Sequence, residues 1–151
     1  METGAQPPEQ PRRILALDVG KRRIGLAISD GMGITAQGVP TLQRTTIRED
    51  LARLAELINS RSVSLLLVGD PLHMSGHESR QAQYIRDFAE RLTVMTGIPV
   101  QFWDERLTTV QAQRVLKESG ISIEKRARAV DQLAAVILLE SYLDSRPREV
   151  E

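Results

Sequence analysis

Three carboxylates in this chain sit where they could do chemistry together. Asp18 closes a short apolar run, Ile14 to Leu17. Glu105, in Asp104-Glu105, follows a second run, Val100 to Trp103. Asp131 lies in Ala129 to Val136, a segment otherwise almost wholly apolar. Each acid alone has an ordinary explanation: a turn aspartate before Gly20, the charge preference of a helix start, a helix N-cap. Taken together they read differently. The carboxyl ends of central strands in an α/β sheet are where functional groups gather, and Asp18 and Glu105 both fall at such ends. The small Ala134 and Ala135 lie one turn beyond Asp131 and would let a buried Asp131 approach a neighbouring element closely. Converging carboxylates repel one another unless a hard cation joins them, and Mg²⁺ or Mn²⁺ suits an all-oxygen site. Two such ions can activate a water and stabilise a leaving oxygen in phosphodiester cleavage.

Cations surround each acid in sequence. Lys21, Arg22 and Arg23 follow Asp18, Arg106 follows Glu105, and Lys125, Arg126 and Arg128 precede Asp131. A rim of this kind would grip the phosphates of a nucleic acid; the competing reading is a solvated surface. Residues 120–128 carry few apolar anchors and read as a mobile basic loop. His73 and His77 flank Gly76 and lack the further ligands that zinc requires, so they read as a surface loop. Trp103 could stack a base, although a tryptophan in this setting is more often part of the core.

The elements that must position these groups alternate in type. Ile14 to Leu17 and Val63 to Val68 suit strands covered on both faces. Ile24, Leu26 and Ile28 alternate with Gly25, Ala27 and Ser29 as a second strand, Ile34 to Val39 form a weaker third, and Val100 to Trp103 a fifth. Leu51, Leu54, Ala55 and Ile58 repeat at helical spacing, as do Ile85, Phe88, Ala89 and Leu92. Thr108-x-x-Gln111 fits a capping box and Gly120 a helix stop. A last helix is expected from about Ala129 to Tyr142. The order β-β-β-α-β-α-β-α-α implies an α/β fold with a five-stranded mixed sheet, an antiparallel three-strand meander followed by parallel crossovers.

Composition narrows the classes. The 151 residues imply one domain, placed at 12–143. Residues 1–11, with three of the seven prolines, and 144–151 read as disordered tails. With no cysteine there is neither a disulfide nor a thiolate site. No apolar run reaches the ~18 residues of a membrane span, and the N-terminus has no signal-peptide core, so a cytoplasmic protein with no membrane partner is expected. Twenty acidic and twenty basic residues cancel, so any surface for nucleic acid must be local.

The residues also resemble a known family. Leu17-Asp18-Val19-Gly20-Lys21-Arg22-Arg23-Ile24-Gly25-Leu26-Ala27, Asp104-Glu105-Arg106-Leu107-Thr108-Thr109 and Val130-Asp131-Gln132-Leu133-Ala134-Ala135 look like three motifs of the YqgF/RuvX group. The resemblance runs from about Arg13 to Leu143. It implies an RNase H-like fold and divalent-metal phosphodiester hydrolysis in the cytoplasm. Asp18, Glu105 and Asp131 match the family's proposed catalytic acids. The implied role is maturation of the 16S ribosomal RNA 5′ end, with an RNA precursor and ribosomal particles as partners. Asp70, after the fourth strand, departs from the family's usual apolar residue. It is either an accessory ligand, as Asp104 could be, or an outward-facing turn residue. Cleavage of branched DNA at a Holliday junction is the alternative, and would call for a symmetric dimer; RNA maturation is open to a monomer or a homodimer. Two other classes compete. Asp18-x-Gly20 with Gly25 and Asp30 resembles a phosphate-binding element of actin-like and sugar-kinase ATPases, which need two domains that this chain is too short to hold. A binding module that has lost its chemistry is opposed by the retention of all three acids.

Overall fold

A computed structural model describes residues 13–70, 80–104 and 123–146, with the side chains of 123–128 outside the description. Five strands form one sheet: β1 (Arg13–Val19), β2 (Arg23–Ser29), β3 (Ala36–Gln43), β4 (Val63–Asp70) and β5 (Val100–Asp104). Their order across the sheet is β3-β2-β1-β4-β5. The first three make the expected antiparallel meander, while β4 runs parallel to β1 and β5 parallel to β4. The third strand lies further along the chain than its apolar residues suggest. Ile34 is exposed, and the pairing starts at Ala36 and continues to Gln43. As an edge strand, β3 is half solvated, so apolar pattern marks it weakly. Its ladder shifts register opposite Gly25, where Pro40 and Thr41 fall between the paired Val39 and Leu42; a proline without an N–H is tolerated at such an interruption.

Two cores cover the sheet. On one face Leu15, Leu17, Val19, Ile24, Leu26, Leu66 and Val68 pack against α1 (Ile47–Ser60) and α2 (Arg80–Thr96). Of the apolar spacing that predicted these helices, Leu51, Leu54 and Ile58 in α1 and Ile85, Phe88, Ala89 and Leu92 in α2 are buried, while Ala55 is half-buried. Thr46 caps α1 by accepting the Glu49 N–H. On the other face Ile14, Ala16, Ala27 and Leu67 meet Ala135, Leu138 and Leu139 of α3 (Ile123–Ser145). Among the described residues no helix is long and apolar enough to cross a membrane.

The expected loop over 120–128 is corrected in part, because α3 begins at Ile123, six residues before Ala129. Glu124-Lys125-Arg126-Ala127-Arg128 lacks an apolar stripe, but these are good helix formers, so they extend the helix toward its N-terminus. Lys125, Arg126 and Arg128 therefore stand on its first turns. The helix expected from Thr108 to Gly120, His73 and His77, and both expected tails except Asp144 to Arg146 lie outside the described residues. Asp144 and Ser145 belong to α3, so the expected tail over 144–151 is corrected at its start.

Candidate active site

Asp18 and Asp131 are brought together by a glycine. In β1, alternation puts Asp18 on the same face as Ile14 and Ala16, the face covered by α3. Its partner across the antiparallel ladder is Gly25. A Cβ built on Gly25 would lie 1.9 Å from the backbone oxygen of Asp131, so the backbone of α3 rests directly on β2 there. Only the missing side chain permits this approach. Ala134 and Ala135 are fully buried one turn on. The helix thus carries Asp131 to the end of the sheet where Asp18 lies one residue before the close of β1.

Asp131 lies eight residues inside α3, counting from Ile123, so it is not an N-cap. Its carboxylate accepts a hydrogen bond from the Nε of Arg23 at 2.7 Å. Both side chains are partly buried. Arg23 opens β2 and, like Gly25, lies on the α3 face, so this member of the basic triplet is turned toward a carboxylate of its own chain. Lys21 and Arg22 are exposed on the turn before it. That turn is closed by the Gly20 N–H on the Arg23 carbonyl, at 2.9 Å.

The two accessory candidates lie side by side at the ends of neighbouring parallel strands, Asp70 in register with Asp104. Asp70 accepts from Nη2 of Arg86 on α2 at 3.2 Å. Alternation in β4, with Leu66 and Val68 in the α1–α2 core, puts it on the face opposite α3. Asp104 is exposed and ends β5, bringing the chain to the same sheet edge as Asp18. Glu105 and Arg106 lie outside the described residues, as do the side chains of Lys125, Arg126 and Arg128. Among the described residues no cluster of three metal-ligating side chains occurs. The described part of the candidate site is thus a pair of carboxylates, Asp18 and Asp131. An oxygen-only donor set in a close-packed cradle fits a hard divalent cation.

Trp103 takes the packing role. Its ring meets Tyr142 edge-on with centroids 5.2 Å apart, its Nε1 donates to Ser141 Oγ, and it packs on the α3-side core.

One cluster was not visible in the sequence. Arg44, between β3 and α1, donates through Nε to Asp50 at 3.0 Å, through Nη1 to the Gly20 carbonyl at 2.9 Å and through Nη2 to the Tyr84 hydroxyl. Its guanidinium also lies 5.4 Å from the Tyr84 ring centroid and 5.1 Å from that of Phe88. Burial disfavours its charge, but the Asp50 carboxylate and the Tyr84 hydroxyl outweigh that, and the pKa of Arg44 rises. The backbone N–H of Arg44 donates to the Arg22 carbonyl at 2.9 Å. Arg44 therefore holds the basic turn from below. Only the run of polar residues after β3 hinted at it, because its partners come from three separate elements.

Comparison with known proteins places the chain in a family and a fold class. Residues 12–145 match the family model described as RuvX, Holliday junction resolvase. A Koribacter versatilis protein named "Putative pre-16S rRNA nuclease" is 49% identical over 141 residues, 93% of this chain and 92% of the relative. A relative of the same name from Moorella thermoacetica is 48% identical over 87% of this chain and 94% of its own. Among solved structures, Thermus thermophilus RuvC in complex with a Holliday junction substrate superposes with a TM-score of 0.56 at 14% identity, covering 89% of this chain and 95% of that one. The fowlpox virus resolvase superposes with a TM-score of 0.54 at 16% identity, covering 88% and 97%. At these identities the likeness concerns the fold, that of RNase H-like resolvases.

Proposed function

The chain belongs to the RuvX family, and from that premise we propose that it is a nuclease in which Asp18, Glu105 and Asp131 hold Mg²⁺ or Mn²⁺ for phosphodiester hydrolysis. The observation that carries this reading is the meeting of Asp18 and Asp131 across Gly25 at one edge of the sheet. Bound divalent metal at such a site supplies an activated water and stabilisation of the leaving oxygen. The chain's own residues do the rest. Asp18 and Asp131 present their carboxylates from a rigid strand and a rigid helix. Arg23 fixes the orientation of the Asp131 carboxylate and offsets its charge while no cation is bound. Lys21 and Arg22 stand on the turn that follows Asp18 and hold backbone phosphates. Arg106, Lys125, Arg126 and Arg128, which neighbour the acids in sequence, add further phosphate contacts.

The substrate proposed is the precursor of 16S ribosomal RNA, met in the cytoplasm within ribosomal particles. The names carried by relatives at 42–49% identity support it. Branched DNA is the second reading, supported by the family's description and by the resolvase fold. Cleavage of a defined RNA precursor and of a four-way DNA junction, side by side with and without Mn²⁺, tests both. Metal-dependent cut at the RNA 5′ end supports the first reading, and symmetric nicking of the junction alone supports the second. Metal-independent cleavage, or none of either substrate, rejects the metal-nuclease reading.

A further inference from the structure

We propose that the cleft beneath the β1–β2 turn is where Lys21 and Arg22 take a phosphate, holding the substrate strand on the face of the sheet away from α3. The proposal deepens the nuclease reading and rests on it for the identity of the ligand, a single-stranded polynucleotide. The cleft measures about 420 Å³ and is lined by Lys21, Arg22, Arg44, Thr45, Ile47 and Tyr84 among others, within the size of ordinary ligand sites. Asp50 also borders it, but that carboxylate is consumed, accepting from Arg44 Nε and from the Thr45 N–H, each at 3.0 Å. Arg44 and Asp50 thus neutralise each other. Among the described residues neither Lys21 nor Arg22 has a carboxylate partner. Among the described residues the cleft therefore presents two cations without a carboxylate partner, and its one lining carboxylate, Asp50, is engaged.

Its walls are set in advance. Arg44 ties the turn to α1 through Asp50 and to α2 through Tyr84, and grips the carbonyls of Gly20 and Arg22. Cations carried on a backbone already held this firmly lose less entropy when a phosphate binds. The position is apt as well. Lys21 is three residues from Asp18, and a chain spans at most ~3.3–3.6 Å per residue, so the cleft lies within one or two phosphates of the acid pair. Arg23 turns to Asp131 on the α3 face, whereas Lys21 and Arg22 line a cleft walled by α1 and α2. A strand cut at Asp18 and Asp131 would cross the sheet edge and descend on the other side.

The test uses the full chain in metal-free buffer and a fluorescein-labelled 12-nucleotide single-stranded RNA of mixed sequence, with anisotropy read at several salt concentrations. Lys21→Ala/Arg22→Ala should weaken binding at least tenfold at low salt. It should also lower the slope of log affinity against log salt by about 1.4, two contacts at ~0.7 each. Ile47→Glu adds a carboxylate at the cleft wall, at the first position of α1, where a negative charge favours the helix. It should weaken binding several-fold with no fall in melting temperature, and Ile47→Lys should strengthen it. Arg61→Ala removes an equal charge past the far end of α1 and should change nothing. Unaltered affinity in Ile47→Glu, or an equal loss in Arg61→Ala, overturns the cleft. A chain that cuts no substrate yet shows the Lys21/Arg22 and Ile47 effects keeps the site and loses the nuclease reading; intact cleavage with no cleft effect does the reverse.

Discussion

Arg23 Nε lies 2.7 Å from Oδ2 of Asp131, joining the first residue of β2 to a helix residue 108 positions further along the chain. The acid proposed to bind a cation thus already has one. Any divalent ion at Asp131 must share the carboxylate with this guanidinium or turn it aside, and Arg23→Ala should change metal affinity. Loss of the competitor predicts tighter Mn²⁺ binding by calorimetry, and loss of an orienting partner predicts weaker binding. We expect the second, because a fixed carboxylate loses less freedom on coordination.

Asp18→Asn should abolish cleavage. Its melting temperature in metal-free buffer should stay within about 2–4 °C of the parent, the shift expected for ~1 kcal/mol at this chain length. A much larger fall in a thermal scan would make Asp18 a structural residue.

Metal itself should stabilise the fold. At a tenfold excess over Kd, binding contributes about 1.4 kcal/mol, so Mn²⁺ should raise the melting temperature by a few degrees. Asp18→Asn and Asp131→Asn should lose that rise. An equal rise in the variants would place the ion elsewhere.

Gly25→Ala should be among the most damaging single methyl additions in the chain. Its Cβ would meet backbone at 1.9 Å, and no rotamer can relieve that. Overpacking costs about 1–3 kcal/mol, and the upper end is expected, a drop of roughly 6–12 °C in a thermal scan, with loss of cleavage as α3 is lifted from β2.

The Arg44–Asp50 pair should be far costlier to break than a surface pair. Asp50 is 1% exposed, and stranding a buried charge costs about 3–5 kcal/mol. Arg44→Ala should therefore unfold at markedly lower urea concentration than Arg86→Ala, which breaks the less buried pair with Asp70.

Asp30 offers a check by pH. Its carboxylate accepts the Ile34 N–H at 2.7 Å and the Thr35 N–H at 3.3 Å, and the Ile34 bond above all holds its pKa below the ordinary 3.8. A depressed folded-state pKa adds stability that is present above the unfolded value and is lost as pH falls through the folded one. The destabilisation of Asp30→Asn should therefore be largest near neutrality and fade in acid, and an NMR titration should place the Asp30 midpoint below 3.8.

Much of this architecture was legible in the residues, and the exceptions share a cause. Strands and helices with a buried face, such as β1, β4, α1 and α2, show their period because burial demands it. The edge strand β3, half solvated, makes that demand only weakly. Propensity shaped the start of α3, where Lys125, Arg126 and Arg128 extend a helix and not a loop. At the site, Asp18 and Asp131 were visible as acids out of place in apolar segments. Their meeting point was not, because a glycine in a strand marks a close approach without saying to what. The Arg44 cluster left no pattern, since its partners are distant in the chain.

The seat of α3 on Gly25 also sets an order of events. Asp131 is 108 residues from Arg23, and contacts so far apart form only after a large loop has closed. The meander β1–β2–β3 can pair early from neighbouring segments, with Asp18 already in register. It then holds one half of the proposed ion site and a bare strip of sheet. On the proposed reading of the site, a partly folded chain is therefore inert as well as unstable, and the power to cut nucleic acid arises in the same step that seals the second core.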